Sequence, residues 1–360
     1  MSTDKKSVLS PFIKALMMDP PNLKPSDLQF VIKLIVQGVA TDIQVASFLT
    51  ALRVRGLDHH PDFIAAAATA VMEFSEIIDE IAVDAEGYVD VVGTGGDGQD
   101  TFNVSTSAAI VAAGMGVKVC KHGGKASTST SGSGDLLGSL GVDLSKITAT
   151  TAPTILSQSG FCFLFAPNFH PAMKKVAPIR SAIGIPTIFN ILGPLLNPAP
   201  IRARIIGVNS ESLGQTFAEA LLLLDNARGR TAKSMIVWGK VGLDEISPIG
   251  STRCWLADPI TREITTFDLS PNDFGIKEHP LKDVASGTPQ ENANLLMKIL
   301  HGQYDEGHPI FDYIVLNAAA LAVVSGAAVD WKEGKSVAID SIKSGNALRA
   351  LQELQALAPI

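Results

Sequence analysis

Four segments of this chain carry residues whose types and spacing could do chemistry. The first is Gly93-Thr94-Gly95-Gly96-Asp97-Gly98, which follows an apolar run. Glycines let the backbone approach a phosphate closely and aim N–H groups at it. Thr101 follows, and Asn103-Val104-Ser105-Thr106 then opens a helical stretch. Ser and Thr are good caps there, and the same helix N-terminus attracts an anion. The second segment runs from Lys121-His122-Gly123-Gly124-Lys125 through Ser127, Ser129, Ser131 and Ser133 to Asp135. It gathers two lysines, a histidine and a series of hydroxyls, which suits phosphate better than it suits a serine linker. The third, Asn168 to Arg180, reads as a short basic helix on which His170, Lys174 and Arg180 could face one cleft. A solvated basic helix explains the same residues. The fourth is Asp244-Glu245. Adjacent carboxylates beside a phosphate site suggest Mg²⁺, which takes carboxylates together with substrate phosphates. On their own they are two surface acids.

The glycine run also matches G-x-G-x-x-G, so a dinucleotide site has to be weighed. Asp97 would place a carboxylate in the pyrophosphate cradle. The acid expected about 20 residues further on for the ribose is replaced by Lys121-His122. A dehydrogenase reading is therefore disfavoured. No Walker A sequence and no Gly-x-Ser-x-Gly elbow occurs. Together the segments describe a phosphate-rich, diphosphate-like substrate held with Mg²⁺ and lack a strong nucleophile–base pair. That suits an electrophile that ionises readily while fixed groups stabilise charge.

These residues need elements to position them. From Ser26 and Gln29 a capping box leads into an apolar periodic run, and Thr41 and Gln44 repeat the device. The second helix should stop at Gly56, and His60-Pro61 should start a third that reaches about Asp79. Residues 1–82 thus read as a helical unit. From Tyr88 short β-rich runs alternate with helical ones. Strands are expected at Tyr88–Val92, Val117–Cys120, Phe163–Phe165, Ile205–Val208, Met235–Trp238 and Arg253–Leu256. Helices are expected to begin near Ser105, Gly134, Ser212, Pro289, Phe311 and Lys335. This alternation predicts a mostly parallel sheet, with ligands outside the carboxyl ends of its strands.

The whole-chain numbers bound the function. The 360 residues carry a formal net charge of −7 with a pI near 5.5. A general nucleic-acid or anionic-membrane binder is usually basic, so any anion site must be local. Cys120, Cys162 and Cys254 form no CxxC, which excludes a cysteine-rich zinc site and fits a reducing cytosol. The first residues lack a signal-peptide layout. The charge-free stretches 147–173 and 181–201 are broken by prolines, and Tyr313–Val329 reads as a buried helix, so no membrane span is expected.

The segments together resemble the anthranilate phosphoribosyltransferases. GTGGD at 93–97, NVST at 103–106, KHG at 121–123 with SGSGD at 131–135, HPAMK at 170–174, FNILGPLLNP at 189–198 and LDE at 243–245 match that family in order and spacing. GVATDIQVASFLTALRVRG near the N-terminus, ENANLL and LNAAALAV near the C-terminus also fit. The resemblance implies a small all-helical domain (1–82 plus 169–186) hinged to a larger α/β domain (87–168 plus 187–360) with a mostly parallel central sheet. Hinges would lie near 83–87 and 167–187, and two copies would pair through the helical domain. It implies transfer of a 5-phosphoribosyl group from 5-phosphoribosyl-1-diphosphate (PRPP) to the amine of anthranilate, a step of tryptophan biosynthesis. Gly93, Gly96, Asp97, Thr101, Asn103, Ser105, Thr106, Lys121, Gly123, Gly124, Lys125, Ser127, Ser129 and Ser133 would hold PRPP. Gly93, Gly124, His170, Arg180 and Pro194 would meet anthranilate, and Ser105, Asp244 and Glu245 would hold Mg²⁺. One departure stands out. The family usually has Asn-Arg after KHG, where this chain has Gly124-Lys125, losing a side-chain hydrogen bond and a guanidinium fork. Two other readings remain: a pyrimidine-nucleoside phosphorylase, which shares features of this fold, and a non-enzymatic relative that binds nucleic acid. The acidic pI and the Asp244-Glu245 pair speak against the latter.

Overall fold

The computed structural model describes residues 8–79, 84, 86–126 and 129–360. Four helices come first: α1 (Ser10–Met17), α2 (Pro25–Gln37), α3 (Asp42–Val54) and α4 (Pro61–Met72). Helix α2 starts two residues earlier than the Ser26–Gln29 capping box predicts, with Lys24 in the cap position. Pro25 occupies the first turn, and the Asp27 carboxylate accepts from the Lys24 N–H at 2.9 Å. Its apolar stripe, Leu28, Val31, Ile32, Ile35 and Val36, is buried as the periodicity predicts. Thr41 and Gln44 form the expected capping box on α3. Helix α4 ends at Met72 and does not continue to Asp79. The Ser75 hydroxyl turns back to Val71 O (2.9 Å), and the Glu76 N–H donates to Phe169 O (2.8 Å), so the chain leaves the helix to meet another segment.

A seven-stranded sheet follows: β1 (Tyr88–Gly93), β2 (Val119–Gly123), β3 (Phe161–Phe165), β4 (Ile201–Gly207), β5 (Lys233–Gly239), β6 (Thr252–Ala257) and β7 (Ile264–Leu269). The spatial order is β3-β2-β1-β4-β5-β6-β7, parallel through β5 and antiparallel for the last two. Strand β7 was not expected. Its polar, largely exposed ITTFDL run lies at the sheet edge, where half of the alternation signal is lost. Strand β2 lies two residues later than predicted, because it pairs residue for residue with β3 from Val119↔Phe161 to Gly123↔Phe165. Lys121, His122 and Gly123 are therefore in the strand and not in a loop after it.

The remaining helices are α5 (Val104–Gly114), α6 (Ser133–Ser139), α7 (Ala152–Ser159), α8 (Ala166–Phe169), α9 (Ala177–Ile183), α10 (Glu211–Ala227), α11 (Pro289–Leu300), α12 (Pro309–Ser325), α13 (Trp331–Lys343) and α14 (Asn346–Leu357). Helix α13 begins before the predicted Lys335, because Asp330 caps the N–H groups of Lys332 and Glu333, both at 2.9 Å. The single basic helix expected after Asn168 is instead a 3₁₀ turn (Pro171–Lys175) followed by α9. Pro171 and Pro178 each lack the N–H that a continuous helix needs.

Helices α5, α12 and α14 cover one sheet face, burying Ile110, Val111, Tyr313, Ile314 and Leu351. The other face carries Ile206, Ile236 and Trp255, against Phe217 and Leu221 of α10. This second core runs on into Phe63, Ala67 and Phe48 of the N-terminal helices. Among the described residues no helix is long and apolar enough to cross a membrane.

Candidate functional site

The chain winds from β1 to β2 on one side, and β4 later joins β1 on the other. In open sheets a crevice forms at the carboxyl ends of strands where the order reverses in this way. Gly93 and Gly207 end the two strands in register. Both must be glycine because the 243–245 loop crosses them. A Cβ on Gly93 would lie 2.3 Å from Asp244 Oδ2, and one on Gly207 would lie 1.5 Å from the Asp244 carbonyl oxygen.

The crevice is a cleft of about 270 Å³. Its wall includes Gly93, Gly96, Asp97, Thr101, Asn103, Ser105, Lys121, Gly123, Gly124, Lys125, Ser129, Ser133, Asp244 and Glu245, all from the predicted set. Gly95, Gly96 and Gly98 all have φ near +70°, a backbone region that suits glycine. The Gly95 N–H donates to Asp244 Oδ2 at 2.7 Å, and Asn209 holds the loop by donating to Gly95 O at 2.9 Å. Helix α5 opens onto the cleft. Its cap residue Asn103 makes no side-chain capping bond, which leaves the first N–H groups unclaimed by that side chain.

Four expectations fall elsewhere, and a fifth is not described. Thr106 is fully buried inside α5, on the core side of the helix. Ser127 lies outside the described residues. His170 is buried beside the cleft and not in its wall, with Nε2 3.0 Å from His122 Nε2 and Nδ1 2.7 Å from Ser75 Oγ. Arg180 is half-buried on α9, with its guanidinium 5.9 Å over the Phe189 ring and Nε without a partner. Pro194 lines a small separate cavity with Asp90, Asn197 and Arg204. This conformation therefore gathers most of the residues expected for phosphate and, of those expected for the aromatic acceptor, Gly93 and Gly124 but not His170, Arg180 or Pro194.

Charge in the cleft floor is unbalanced. Asp244 is buried and Glu245 half-buried, so they are not the exposed surface acids that a loop pair suggests. Burial, reinforced by Asp97, pushes the Asp244 carboxyl up to about 7. Burial and Asp244 also push Glu245 well up, against the pull of Lys121. Lys121, at 1% exposure, donates to Val91 O and, at 3.3 Å, to Ser105 Oγ. Burial lowers its ammonium, while Asp90, Glu245 and Asp244 oppose that shift. Burial also depresses both histidines, His122 well below its ordinary range and His170 to about 4.

Sequence reasoning missed Asp100, which is in the cleft wall, and gave no separate role to Ser131, also in the wall, or to Asp135, which accepts from the Ala126 N–H at 2.8 Å and shapes the serine loop. Asn292 reaches the site from α11 (2.9 Å to Asn103 Oδ1). The ENANLL motif was its signal, although nothing in sequence says which partner it meets.

Residues 10–75 match the helical bundle domain of a glycosyl transferase family, and residues 85–348 match that family's a/b domain. The anthranilate phosphoribosyltransferase of Saccharomyces cerevisiae is 46% identical, the alignment covering 96% of this chain and 97% of that one. The chain belongs to the anthranilate phosphoribosyltransferase family. The Schizosaccharomyces pombe family member is also 46% identical, over 94% and 93% of the two chains. Two solved structures extend the likeness to three dimensions. The S. cerevisiae enzyme in complex with PRPP and Mg has a TM-score of 0.90 and 46% identity over 98% of each chain. The Thermus thermophilus family member has a TM-score of 0.83 and 37% identity over 93% and 95%.

Proposed function

We propose that this chain transfers the 5-phosphoribosyl group of PRPP to anthranilate. A bond forms between the anthranilate nitrogen and ribose C1, the C1–oxygen bond to pyrophosphate breaks, and the amine gives up one proton. The observation that carries the reading is the cleft at the β1/β4 switch, where the glycine loop, the open end of α5 and the serine loop converge on one wall and buried carboxylates form the floor. The S. cerevisiae relative, solved with PRPP and Mg and separately with 4-fluoroanthranilate, supports it.

The proposed PRPP contacts are the predicted residues of the wall, from Gly93 to Ser133. Backbone N–H groups and hydroxyls take the phosphates and strengthen as charge moves onto the leaving pyrophosphate. Arg180, with a desolvated guanidinium, is assigned to the anthranilate carboxylate, with His170 and Pro194 on the same side. That assignment requires the segment carrying α9 to swing toward the cleft, so we place hinges near 83–87 and 167–187, joining a helical unit (1–82 plus 169–186) to the α/β unit. Part of the first hinge lies outside the described residues.

Magnesium fits the floor. Asp97, Asp244, Glu245 and the Ser105 hydroxyl are hard oxygen donors, and the raised carboxyls mark a place where negative charge lacks a partner. Among the described residues no three His, Cys, Asp or Glu side chains form a ready ligand cluster, so substrate phosphates would complete the coordination. When bound, Mg²⁺ would neutralise charge on the diphosphate.

Exposed apolar residues on α1 and α3, namely Met17, Ile43 and Val54 at 76–80% exposure, support a homodimer through the helical unit. Three buried free cysteines support a reducing, cytoplasmic setting. The deciding experiment follows loss of anthranilate fluorescence with PRPP and Mg²⁺. Loss that needs both, and stops in excess chelator, is expected. Absence of turnover in the complete mixture would sink the reading.

A further inference from the structure

The ENANLL segment begins α11. Thr288 and Glu291 cap it reciprocally, with the Thr288 N–H donating to Glu291 Oε2 at 2.8 Å. Asn292, the next residue, is buried at 2% exposure and does not serve the helix with its side chain. Its Oδ1 accepts from the Gly287 N–H at 2.9 Å. Its Nδ2 donates to Asn103 Oδ1 at 2.9 Å and to Ser286 Oγ at 3.0 Å. Asn103 in turn donates from Nδ2 to Ser131 O at 2.6 Å, and the Ser131 hydroxyl donates to Asn103 Oδ1 at 2.7 Å.

The direction of this chain of amides is fixed at both ends. Gly287 offers a backbone N–H, which can only donate, and Ser131 offers a carbonyl, which can only accept. Amide oxygen and nitrogen are usually assigned from their neighbours, but here either flip would set two like groups face to face. Asn292 must therefore present its nitrogen to Asn103, and Asn103 must present its own nitrogen to the serine loop. Both ends are clamped independently. The Phe102 N–H donates to Val284 O and the Ser286 N–H to Asp100 O, both at 2.9 Å, while Thr130 N–H and Oγ reach the Asp100 carboxylate at 2.7 and 2.5 Å. Asn103, Ser129, Ser131 and Ser133 all line the cleft.

We infer that Asn292 is a positioning residue for PRPP: through Asn103 it sets the orientation of the serine loop that forms one wall of the cleft, without touching substrate. The inference rests on the reading of that cleft as the PRPP site. Removing the side chain leaves Asn103 Oδ1 with only the Ser131 hydroxyl. An aspartate does more damage, because it sets a carboxylate oxygen against Asn103 Oδ1 and drives that amide to turn its oxygen toward Ser131 O.

The experiment measures KM for PRPP, KM for anthranilate and kcat in wild type, Asn292→Ala and Asn292→Asp, with thermal melts of each. Wild-type turnover comes first, and its absence would overturn the PRPP reading itself. With wild type active, we expect the PRPP KM to rise about threefold in Asn292→Ala and about tenfold or more in Asn292→Asp, with the anthranilate KM held within about twofold. A residue that merely fills space predicts the opposite order, since Ala leaves the larger void and Asp is nearly isosteric. Equal PRPP KM values in all three proteins, or Ala worse than Asp, would overturn the inference. Should Asn292→Asp fail to fold, Asn292→Ala decides alone: a raised PRPP KM supports the role and an unchanged one removes it.

Discussion

Replacing Gly93 by alanine tests the geometry of the cleft floor with one methyl group. The new Cβ would lie 2.3 Å from Asp244 Oδ2 and 2.9 Å from its Cγ. Non-bonded carbons sit near 3.5–4.0 Å, so the carboxylate must rotate away. Gly93 itself lacks a positive φ, so its backbone accepts alanine and the conflict falls on Asp244 alone. Rotation breaks the 2.7 Å bond from the Gly95 N–H. A hydrogen bond to a charged group is worth ~1.5–3 kcal/mol. At ~1.4 kcal/mol per tenfold, a carboxylate lost from the floor lowers kcat/KM for PRPP by about tenfold to a hundredfold. The Mg²⁺ concentration for half-maximal rate should rise alongside it.

Two companion variants bracket the result. At Gly207 the obstacle is the Asp244 carbonyl oxygen at 1.5 Å, which is backbone and cannot rotate aside, so Gly207→Ala should fold poorly or not at all. At Gly138, inside α6, a Cβ meets nothing within 4 Å. Gly138→Ala should stabilise by up to about 1 kcal/mol through helix propensity and leave turnover unchanged. Initial rates across a Mg²⁺ series, with melting curves, resolve the three. Wild-type magnesium dependence in Gly93→Ala would refute the claim that Asp244 works from this position.

Four further outcomes are expected. Asp244→Asn with Glu245→Gln should nearly abolish turnover yet raise the melting temperature by about 1–2 °C for each ~1 kcal/mol gained, because two adjacent desolvated acids repel; a fall in stability would contradict the charge reading of the floor. Stability should depend on pH through His170. Its folded value is about 4 against 6.5, so the neutral ring stabilises fully above pH 6.5 and that contribution fades as pH falls toward 4. The loss is about 3 kcal/mol, and urea titrations at stepped pH should show it reduced in His170→Gln, with the remaining pH dependence carried by His122. Arg180→Ala should raise the anthranilate KM about tenfold or more and spare the PRPP KM; the reverse pattern would exchange the two sides of the cleft. Scattering with both substrates should report a more compact particle than without them, and identical profiles would argue against closure.

The sequence made the phosphate residues legible because their roles are local. A glycine that must admit a neighbour, or a hydroxyl at the start of a helix, is written in types and short spacings. The parallel sheet was legible for the same reason, since short β-rich runs alternated with helices. What failed depended on partners far along the chain. The two-residue shift of β2 comes from pairing with β3 and carries Lys121 from a supposed loop into the interior. Asp244 looks like a surface acid until Gly93 and Gly207 are seen beneath it. Asn292 is 189 residues from Asn103, and no periodicity links them. Arg180 was named from a basic segment whose cleft-facing geometry the sequence does not fix, and Pro194 from resemblance alone; both lie outside the cleft.

The ionisable groups lining the cleft are mostly acids, Asp97, Asp100, Asp244 and Glu245 beside Lys121, His122 and Lys125. Asp244 and Glu245 lie beside the Lys121 ammonium, which also faces Asp90, and Asp97 adds negative charge next to both acids. Left alone, Asp244 and Glu245 are pressed toward their neutral forms, and a bare diphosphate would meet repulsion on entering. A divalent cation changes the sign of that encounter. It would share the floor carboxylates with the phosphate oxygens and turn two repelling partners into ligands of one ion. Backbone N–H groups, hydroxyls and Lys125, which also line the cleft, would then take the remaining phosphate charge. In such an arrangement the protein needs no strong base to expel pyrophosphate. It needs a rigid cradle whose dipoles already point where charge will accumulate. The glycines at strand ends, the uncapped start of α5 and the amide relay behind Asn103 all serve to hold it so.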